Sequence, residues 1–444
     1  MKLSPLFAAL ILVLLGNPLF PSDTCLNALE VGISFPPVTN AEQRVFAKSH
    51  LDSLGIKIIR FSEEWKNREP VQGVFNWKSL DDRIDWAETN GYSILLTVQS
   101  NGPDYACDTN QQNDNSCVIS DTSAFRQYAD TLLKRYSNRI SKIQFGNEMI
   151  SPDFFAGKIS DFIMASNILY ESTKKYSPQT EFVLGGIATG TLRRFSACRI
   201  TEFFPFYAGG SWGSITTTGQ RDSYCTENWV QEDNRDVQTL LLYANYDIVD
   251  LHLYDDPENW HHFISVIKKV VPDKPIIASE FGGPNLAAAI YSDSLHSEQL
   301  YQYINKLDSL EIMEAYYFKL VEKDDGSMHA KSGLITLATL EIKPGYQIFK
   351  AFQNCQSHII ERKRKSQEPL LKLHPNPFNS TIGIDLKPTY NKASLFVYDI
   401  SGKLVYKRKN IIKPRILFDA SELNHGFYIF KLSYGRQSFC KKAL

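Results

Sequence analysis

Two glutamates stand at the ends of apolar runs in this chain: Glu148 in ISKIQFGNEM (140–149) and Glu280 in KPIIASE (274–280). A pair of carboxyl groups facing one another is the equipment needed to cleave a glycosidic bond. One carboxylic acid protonates the leaving oxygen, and the other carboxylate stabilises or attacks the oxocarbenium-like carbon. When the two lie about 5–5.5 Å apart there is room for covalent attack but not for a bridging water, and the configuration is retained. The two roles demand different acidities. The acid has to keep its proton at working pH, which burial or a neighbouring carboxylate favours, while the nucleophile has to be ionised. Arg60, ending GIKIIRF (55–61), and Tyr254, ending DIVDLHLY (247–254), are the groups expected beside Glu280 as charge and hydrogen-bond partners. Asn147 precedes Glu148 and would donate to a sugar hydroxyl, the 2-OH by preference, and His252 is a further candidate for the site wall.

These residues need a scaffold that gathers strand ends. Eight short apolar runs alternate with amphipathic helical patterns: 28–35, 55–61, 92–98, 140–146, 181–187, 247–254, 274–280 and 314–320. Between them, FRQYADTLLKRY (125–136) aligns Phe125, Tyr128, Leu132, Leu133 and Tyr136, and EQLYQYINKLDSL (298–310) aligns Leu300, Tyr303, Ile304 and Leu307. Near-continuous apolar strands separated by helices indicate a parallel sheet covered on both faces. Eight units fit a (β/α)8 TIM barrel, whose core takes about 250 residues. An open doubly wound sheet would explain six strands more comfortably and would show a glycine-rich turn after the first, which ISFPPVTN (33–40) is not. In a barrel, strand ends converge at one mouth, so strands two, four, six and seven would bring Arg60, Asn147–Glu148, His252–Tyr254 and Glu280 together.

The pattern stops after KPGYQIFKAFQ (343–353). A polar stretch follows, with a basic cluster from Arg362 to Lys365 that reads as a solvated linker. Beyond it lie short alternating strands at 380–386, 393–399, 403–409, 415–420 and 427–433, the texture of a small immunoglobulin-like β-sandwich. At the other end, MKLSPLFAALILVLLG carries one early lysine and an apolar run too short for a stable membrane anchor, as a signal peptide does. The expected organisation is therefore a signal peptide at 1–24, a barrel at 25–355, a linker at 356–369 and a sandwich at 370–444. No later segment reads as transmembrane. Of 444 residues, the 48 Lys and Arg nearly cancel the 49 Asp and Glu, so no overall field favours nucleic acid. Seven cysteines in an exported chain are free to pair. Cys107 with Cys117 and Cys198 with Cys225 are local candidates, Cys25 with Cys355 would tie the barrel ends, and Cys440 is left over.

FGNEM (145–149) and ASEFGGP (278–284) resemble the strand-four and strand-seven motifs of the clan A glycoside hydrolases, retaining enzymes built on (β/α)8 barrels. LGIKIIRFSEEW (54–65) and REPVQGVFNWKSLDDRIDWAETNGYSILL (68–96) are similar to that clan's second and third units, and KPGYQIFKAF (343–352) to its final helix start. The resemblance, over most of 28–353, implies a glycosidase acting on a carbohydrate without cofactor or metal. It implies acid/base for Glu148 and nucleophile for Glu280, with substrate or nucleophile contacts for Asn147, Arg60, His252 and Tyr254. Strand eight departs from the pattern, because Tyr316, Tyr317, Phe318 and Lys319 stand where many members have a tryptophan flooring the site. HPNPFNSTIGIDL (374–386), VYDISGKLVY (397–406) and the basic end resemble the type A C-terminal sorting domain of the type IX secretion system. That implies the secretion machinery as partner, passage across an outer membrane, and a secreted or cell-surface protein.

Other readings compete. A carbohydrate-binding barrel without catalysis would be expected to lose one of the two glutamates, and both are present. A metal-dependent hydrolase would want His-x-His at the end of strand one, which ISFPP does not offer. Trp65, Trp212, Trp229 and Trp260 are candidate sugar platforms, while Trp77 and Trp86 read as packing.

Overall fold

The computed structural model describes residues 29–254, 256–283, 291–310 and 312–352, and, further on, 371–374, 380–386, 393–399, 403–411, 415–421, 423, 426, 428–434 and 437–443. They fall into two compact units, divided between residues 356 and 357. The expected signal peptide and linker, Cys25, Cys355 and the basic cluster at 362–365 lie outside the described residues, as does the side chain of Cys440.

The first unit is built on eight parallel strands: β1 (Glu30–Ser34), β2 (Ile58–Glu63), β3 (Ser93–Val98), β4 (Lys142–Phe145), β5 (Glu181–Val183), β6 (Val249–Tyr254), β7 (Ile276–Gly282) and β8 (Glu314–Tyr317). Each falls on one of the eight apolar runs. The sheet runs β6-β7-β8-β1-β2-β3-β4-β5. Parallel bridges from Val183 to Ile248 and from Ile187 to Leu251 join its two edges, so the barrel closes. Closure removes the exposed edges an open sheet would present. One inward layer is apolar, formed by Ile58, Leu95, Val183, Ile248, Ile277 and Tyr316. Because strand side chains alternate, the next inward positions along β2, β3 and β6 are Arg60, Thr97 and Asp250, and these are polar and buried.

The helices pack on the outside as their stripes predict. In the helix Thr122–Arg135 the buried face includes Phe125, Tyr128, Leu132 and Leu133, and Asp121 caps its start by accepting from the Ser123 and Ala124 amides. In Asp293–Ser309 the buried residues include Leu300, Tyr303, Ile304 and Leu307, with Ser292 as cap. Two insertions follow strand ends. Antiparallel strands Cys107–Gln112 and Cys117–Ile119 carry the Cys107–Cys117 disulfide. Between β5 and β6 lie helices Thr189–Ala197, Thr218–Cys225 and Asn228–Tyr243 and a hairpin of Phe206–Gly209 with Gly213–Ile215, tied by Cys198–Cys225. Both local pairings read from the sequence are present.

The second unit is all β. Leu371–His374, Thr381–Leu386 and Arg415–Asp419 form one antiparallel sheet, and Leu404–Ile411, Ala393–Asp399, Tyr428–Tyr434 and Gln437–Ala443 form another. Their alternating apolar residues, among them Ile382, Ile384, Leu395, Val397, Phe418, Phe430 and Leu432, make a single core, which is a sandwich. The strands at 371–374 and 437–443 add to the five expected from alternation.

Opening the Cys198–Cys225 link removes a cross-link over a sequence separation of 27 residues. Replacing both cysteines by serine should cost roughly 3–4 kcal/mol on the loop-entropy argument, read by denaturant unfolding of the oxidised protein.

Candidate active site

All six residues singled out in the sequence meet at the C-terminal mouth of the barrel. Arg60, fully buried on β2, is the hub. Its Nη1 donates to Glu280 Oε1 at 2.5 Å and its Nη2 to Asn147 Oδ1 at 2.8 Å and Gln144 Oε1 at 3.1 Å. Its Nε donates to Thr97 Oγ1 at 3.0 Å. The hydroxyl of Tyr254 donates to the other oxygen of Glu280 at 2.6 Å. His252 Nδ1 lies 2.7 Å from Glu148 Oε1 and 3.7 Å from Glu280 Oε2, so the imidazole stands between the two carboxyl groups. One oxygen from each glutamate and a ring nitrogen of His252 all fall within 4.8 Å of one another.

Local backbone features place these groups. The pairing of β7 with β6 and with β8 shifts by one residue around Ser279. An extra residue of this kind breaks the alternation, so Ser279 and Glu280 both reach inward. Ser279 Oγ donates to Asp250 Oδ2 at 2.5 Å, while Glu280 meets Arg60. Glu148 has φ of 45°, uncommon for a residue with a side chain, and follows Gly146 at 68°. This tight turn carries Asn147 and Glu148 over the barrel mouth instead of continuing the strand. On β5's extension, Gly186 leaves space for His252: a Cβ there would lie 2.0 Å from Nε2.

A polar layer beneath, which sequence reasoning missed, supports this set. Asp250 accepts from Gln144 Nε2 at 2.5 Å and from the Ser279 amide at 2.7 Å, and Thr97 Oγ1 donates to Gln144 Oε1 at 2.9 Å. The signal was present as single polar residues inside buried strands: Thr97, Gln144, Asp250 and Ser279.

The electrostatics are unequal. Burial alone would push the Glu280 carboxyl up, but the His252 imidazolium, the Arg60 guanidinium and the Tyr254 hydroxyl outweigh it and hold Glu280 below the usual carboxylate range. Burial would push His252 down, yet Glu280, Asp250 and Glu148 together raise it to about 10. Burial and Glu280 carry Tyr254 far above its ordinary value, so it remains a donor. Glu148, Glu280 and His252 are spaced like a small metal-ligand set, but ligation needs a neutral imidazole. Here the raised His252 is a charged donor to Glu148, and Arg60 pairs with Glu280.

The cavity above has a volume of about 640 Å³, of the size that holds a small ligand. Phe35, Asn147, Glu148, Tyr254, Glu280 and Phe318 form its floor and walls. Phe318, placed where the resemblance leads one to look for a tryptophan, packs edge-on against Tyr254 and Phe35. Both disulfide-tied insertions reach the rim, through Asp114 and Asn115 and through Tyr207 to Gly209. The tryptophans differ from expectation. Trp65 and Trp260 are buried in the core, Trp212 packs on Tyr224, and Trp229 is 42% exposed under Arg194; none lines this cavity.

Because the folded-state value of His252 lies above the unfolded 6.5, its stabilising contribution is complete below pH 6.5 and is lost as pH rises towards about 10. The difference in thermal midpoint between wild type and His252→Gln should therefore narrow over that range. A difference that stays constant would show that the imidazole is not charged in the folded barrel.

Residues 372–444 match the family described as Secretion system C-terminal sorting domain. A curated relative, Endo-1,4-beta-xylanase 1 of Arabidopsis thaliana, is 23% identical over 145 residues, covering 32% of this chain and 14% of that protein. Among solved structures, GH5_18 from Streptomyces cattleya in complex with GlcNAc superposes at a TM-score of 0.53, with 13% identity over 78% of this chain and 82% of that one. A monomeric beta-xylosidase from Caulobacter crescentus CB15 gives 0.51, with 10% identity over 89% and 94%. Exo-beta-1,4-mannosidase Op5Man5 from Opitutaceae bacterium strain TAV5 gives 0.50, with 15% identity over 75% of this chain and 60% of that one. At these identities the structural likeness is one of fold. The barrel thus shares its fold with these solved glycoside hydrolase structures, and residues 372–444 match a secretion system C-terminal sorting domain.

Proposed function

We propose that this chain is a retaining glycoside hydrolase that cleaves β-glycosidic bonds of an oligo- or polysaccharide, with Glu148 as acid/base and Glu280 as nucleophile. The observation that carries the reading is that an oxygen of Glu148 and an oxygen of Glu280 lie within 4.8 Å of each other at the mouth of the barrel, with Glu280 held by Arg60 and Tyr254. That spacing suits covalent attack and leaves no room for a water between them.

In the first step Glu280 attacks the anomeric carbon while Glu148 protonates the departing oxygen. With His252 Nδ1–H donating to Glu148 Oε1, the transferable proton resides on Oε2, the oxygen left to face the leaving group. Arg60 and Tyr254 hold both oxygens of Glu280 and fix its direction of attack. In the second step Glu148 takes a proton from water, the resulting hydroxide adds to the same carbon, and the ester bond to Glu280 breaks. The carboxylate then returns to its two donors, which lowers the barrier to its departure. Asn147 uses its oxygen on Arg60, so its amide N–H groups are left for a sugar hydroxyl. Phe35 and Phe318 supply flat apolar surface for the sugar ring.

On this reading residues 1–24 direct export, 25–355 form the catalytic unit and 356–369 a linker. Residues 370–444 address the protein to the type IX machinery and are removed as it reaches the cell surface or the medium. Among the described residues, no helix is long and apolar enough to cross a membrane.

Against a panel of aryl β-glycosides and polysaccharides, Glu280→Ala should lose essentially all turnover, and azide should restore formation of a glycosyl azide of inverted configuration. Glu148→Ala should lose about 10²–10⁴-fold on substrates with poor leaving groups, with azide giving the retained product. Binding of a glycan without turnover, unchanged in both variants, would sink the catalytic reading and leave a carbohydrate-binding barrel. Tyr254→Phe removes a donor from Glu280, so the acid limb of kcat/KM should move to higher pH and kcat should fall by about 10²-fold. An unmoved limb would mean that Glu280 does not set it.

A further inference from the structure

Lys319 stands directly after Phe318 at the top of β8 and lines the cavity that holds both glutamates. It is only 4% exposed. Its Nζ lies 5.0 Å from the centre of the Phe318 ring and has no hydrogen-bond partner in the protein. The nearby carboxylates Asp325 and Glu322 favour its charge from a distance but are paired with other lysines. Glu322 pairs with Lys343 at 2.7 Å and with Lys331 at 3.7 Å, and Asp325 pairs with Lys323 at 3.7 Å. Burial, reinforced by the charge of Lys323, brings the Lys319 ammonium down to about 8. Of the other cations on this wall, Arg193 is already tied to Asp256 at 2.7 Å, whereas Lys323 is exposed at the rim.

An enclosed ammonium is unfavourable unless something compensates it. The sugar site is close by: Phe318 packs edge-on against Tyr254 at 6.2 Å, and Tyr254 holds Glu280 at 2.6 Å. A neutral pyranose offers only hydroxyls to such a group. A carboxylate or a sulfate offers a charged acceptor, which adds to the hydrogen bond a Coulomb attraction that a hydroxyl lacks. The flexible four-carbon stem of lysine lets Nζ rotate past the Phe318 edge into the cavity.

We propose that the sugar bound beside Glu280 carries an anionic substituent, a carboxylate or a sulfate, which Lys319 receives with Lys323 at the rim. The proposal names the substrate class of the glycosidase read above and rests on that reading for its catalytic consequence, while binding tests it separately.

The test is calorimetry on the full chain, as wild type, Lys319→Met and Lys319→Arg, each checked for an unchanged thermal midpoint. The probes are neutral cello- and manno-oligosaccharides, uronate-bearing oligogalacturonides and glucuronoxylan oligosaccharides, and sulfated carrageenan oligosaccharides, with turnover of each followed in parallel. One acidic class should bind at least about tenfold more tightly than the neutral ones, the preference should vanish in Lys319→Met, and it should survive in Lys319→Arg. Which acidic class binds distinguishes carboxylate from sulfate. If Lys319→Met does not fold, the same preference should weaken in wild type as salt is raised, as a charge contact requires. Preference for neutral sugars, acidic binding untouched by Lys319→Met or by salt, or no binding of any acidic probe would overturn the proposal. Cleavage of neutral substrates in those cases would leave the glycosidase standing. Acidic binding lost in Lys319→Met but without turnover of any probe would support the anion site and count against the glycosidase.

Discussion

Arg60 sits fully buried at the centre of the barrel, and the rest of the site is arranged around its charge. Taking a guanidinium and a carboxylate out of water costs several kcal/mol per ion, a penalty that attraction between them repays only when the remaining donors and acceptors are also satisfied. Arg60 meets that condition by reaching four strands or strand ends: Thr97 on β3, Gln144 on β4, Asn147 beyond it and Glu280 on β7. A lysine could not do this, because its ammonium lacks the planar fork of five donors. The same contacts explain why the polar layer beneath is so fully bonded. Gln144 turns its oxygen to Arg60 and its nitrogen to Asp250, and Asp250 in turn fixes Ser279, so a change at one member leaves another buried group unpaired.

The closed barrel and the loops divide the work. β7 and the turn that closes β4 hold the two carboxyl groups through packing and hydrogen bonds. The cavity rim comes in part from insertions after strand ends, and each of the two described above carries a disulfide. Cross-linking such segments limits their freedom without requiring them to pack a core of their own. In an exported protein that device is chemically available.

Much of this was legible in the sequence, for a physical reason in each case. The eight strands were visible because parallel strands buried on both faces read as apolar runs, and the helices because their stripes repeat at helical spacing. Glu148, Glu280, Arg60, His252 and Tyr254 were found by asking which polar residues end those runs. The supporting layer was not found, since Thr97, Gln144 and Ser279 are single polar residues whose partners lie tens to hundreds of positions away. The tryptophans misled because a large ring serves a core as well as a sugar face: Trp65 stacks on Tyr128 and Trp260 packs at a tilt on Tyr303, both inside. Phe318 went unread as a floor because its exposure depends on how the chain leaves β8, which no local pattern encodes.

The two glutamates also differ in how the backbone delivers them, and that difference suits the roles proposed for them. Glu280 is held within a strand, where an irregular pairing turns it inward and two donors and the His252 charge fix its ionisation. In the proposed role of nucleophile, Glu280 gains from being immobile, because attack succeeds over a narrow range of directions. Glu148 lies on a turn with a left-handed backbone, less buried, and shares one oxygen with His252. An acid that must later become a base, first serving a leaving group and then a water, needs one oxygen free of the protein. The left-handed backbone at Glu148, at a cost of order 1–3 kcal/mol, carries the residue out of the strand to the cavity wall. The glycines on either side of the site make this affordable in space. Gly146 begins the turn, and Gly186 yields the volume that His252 fills as it reaches between the two carboxyl groups.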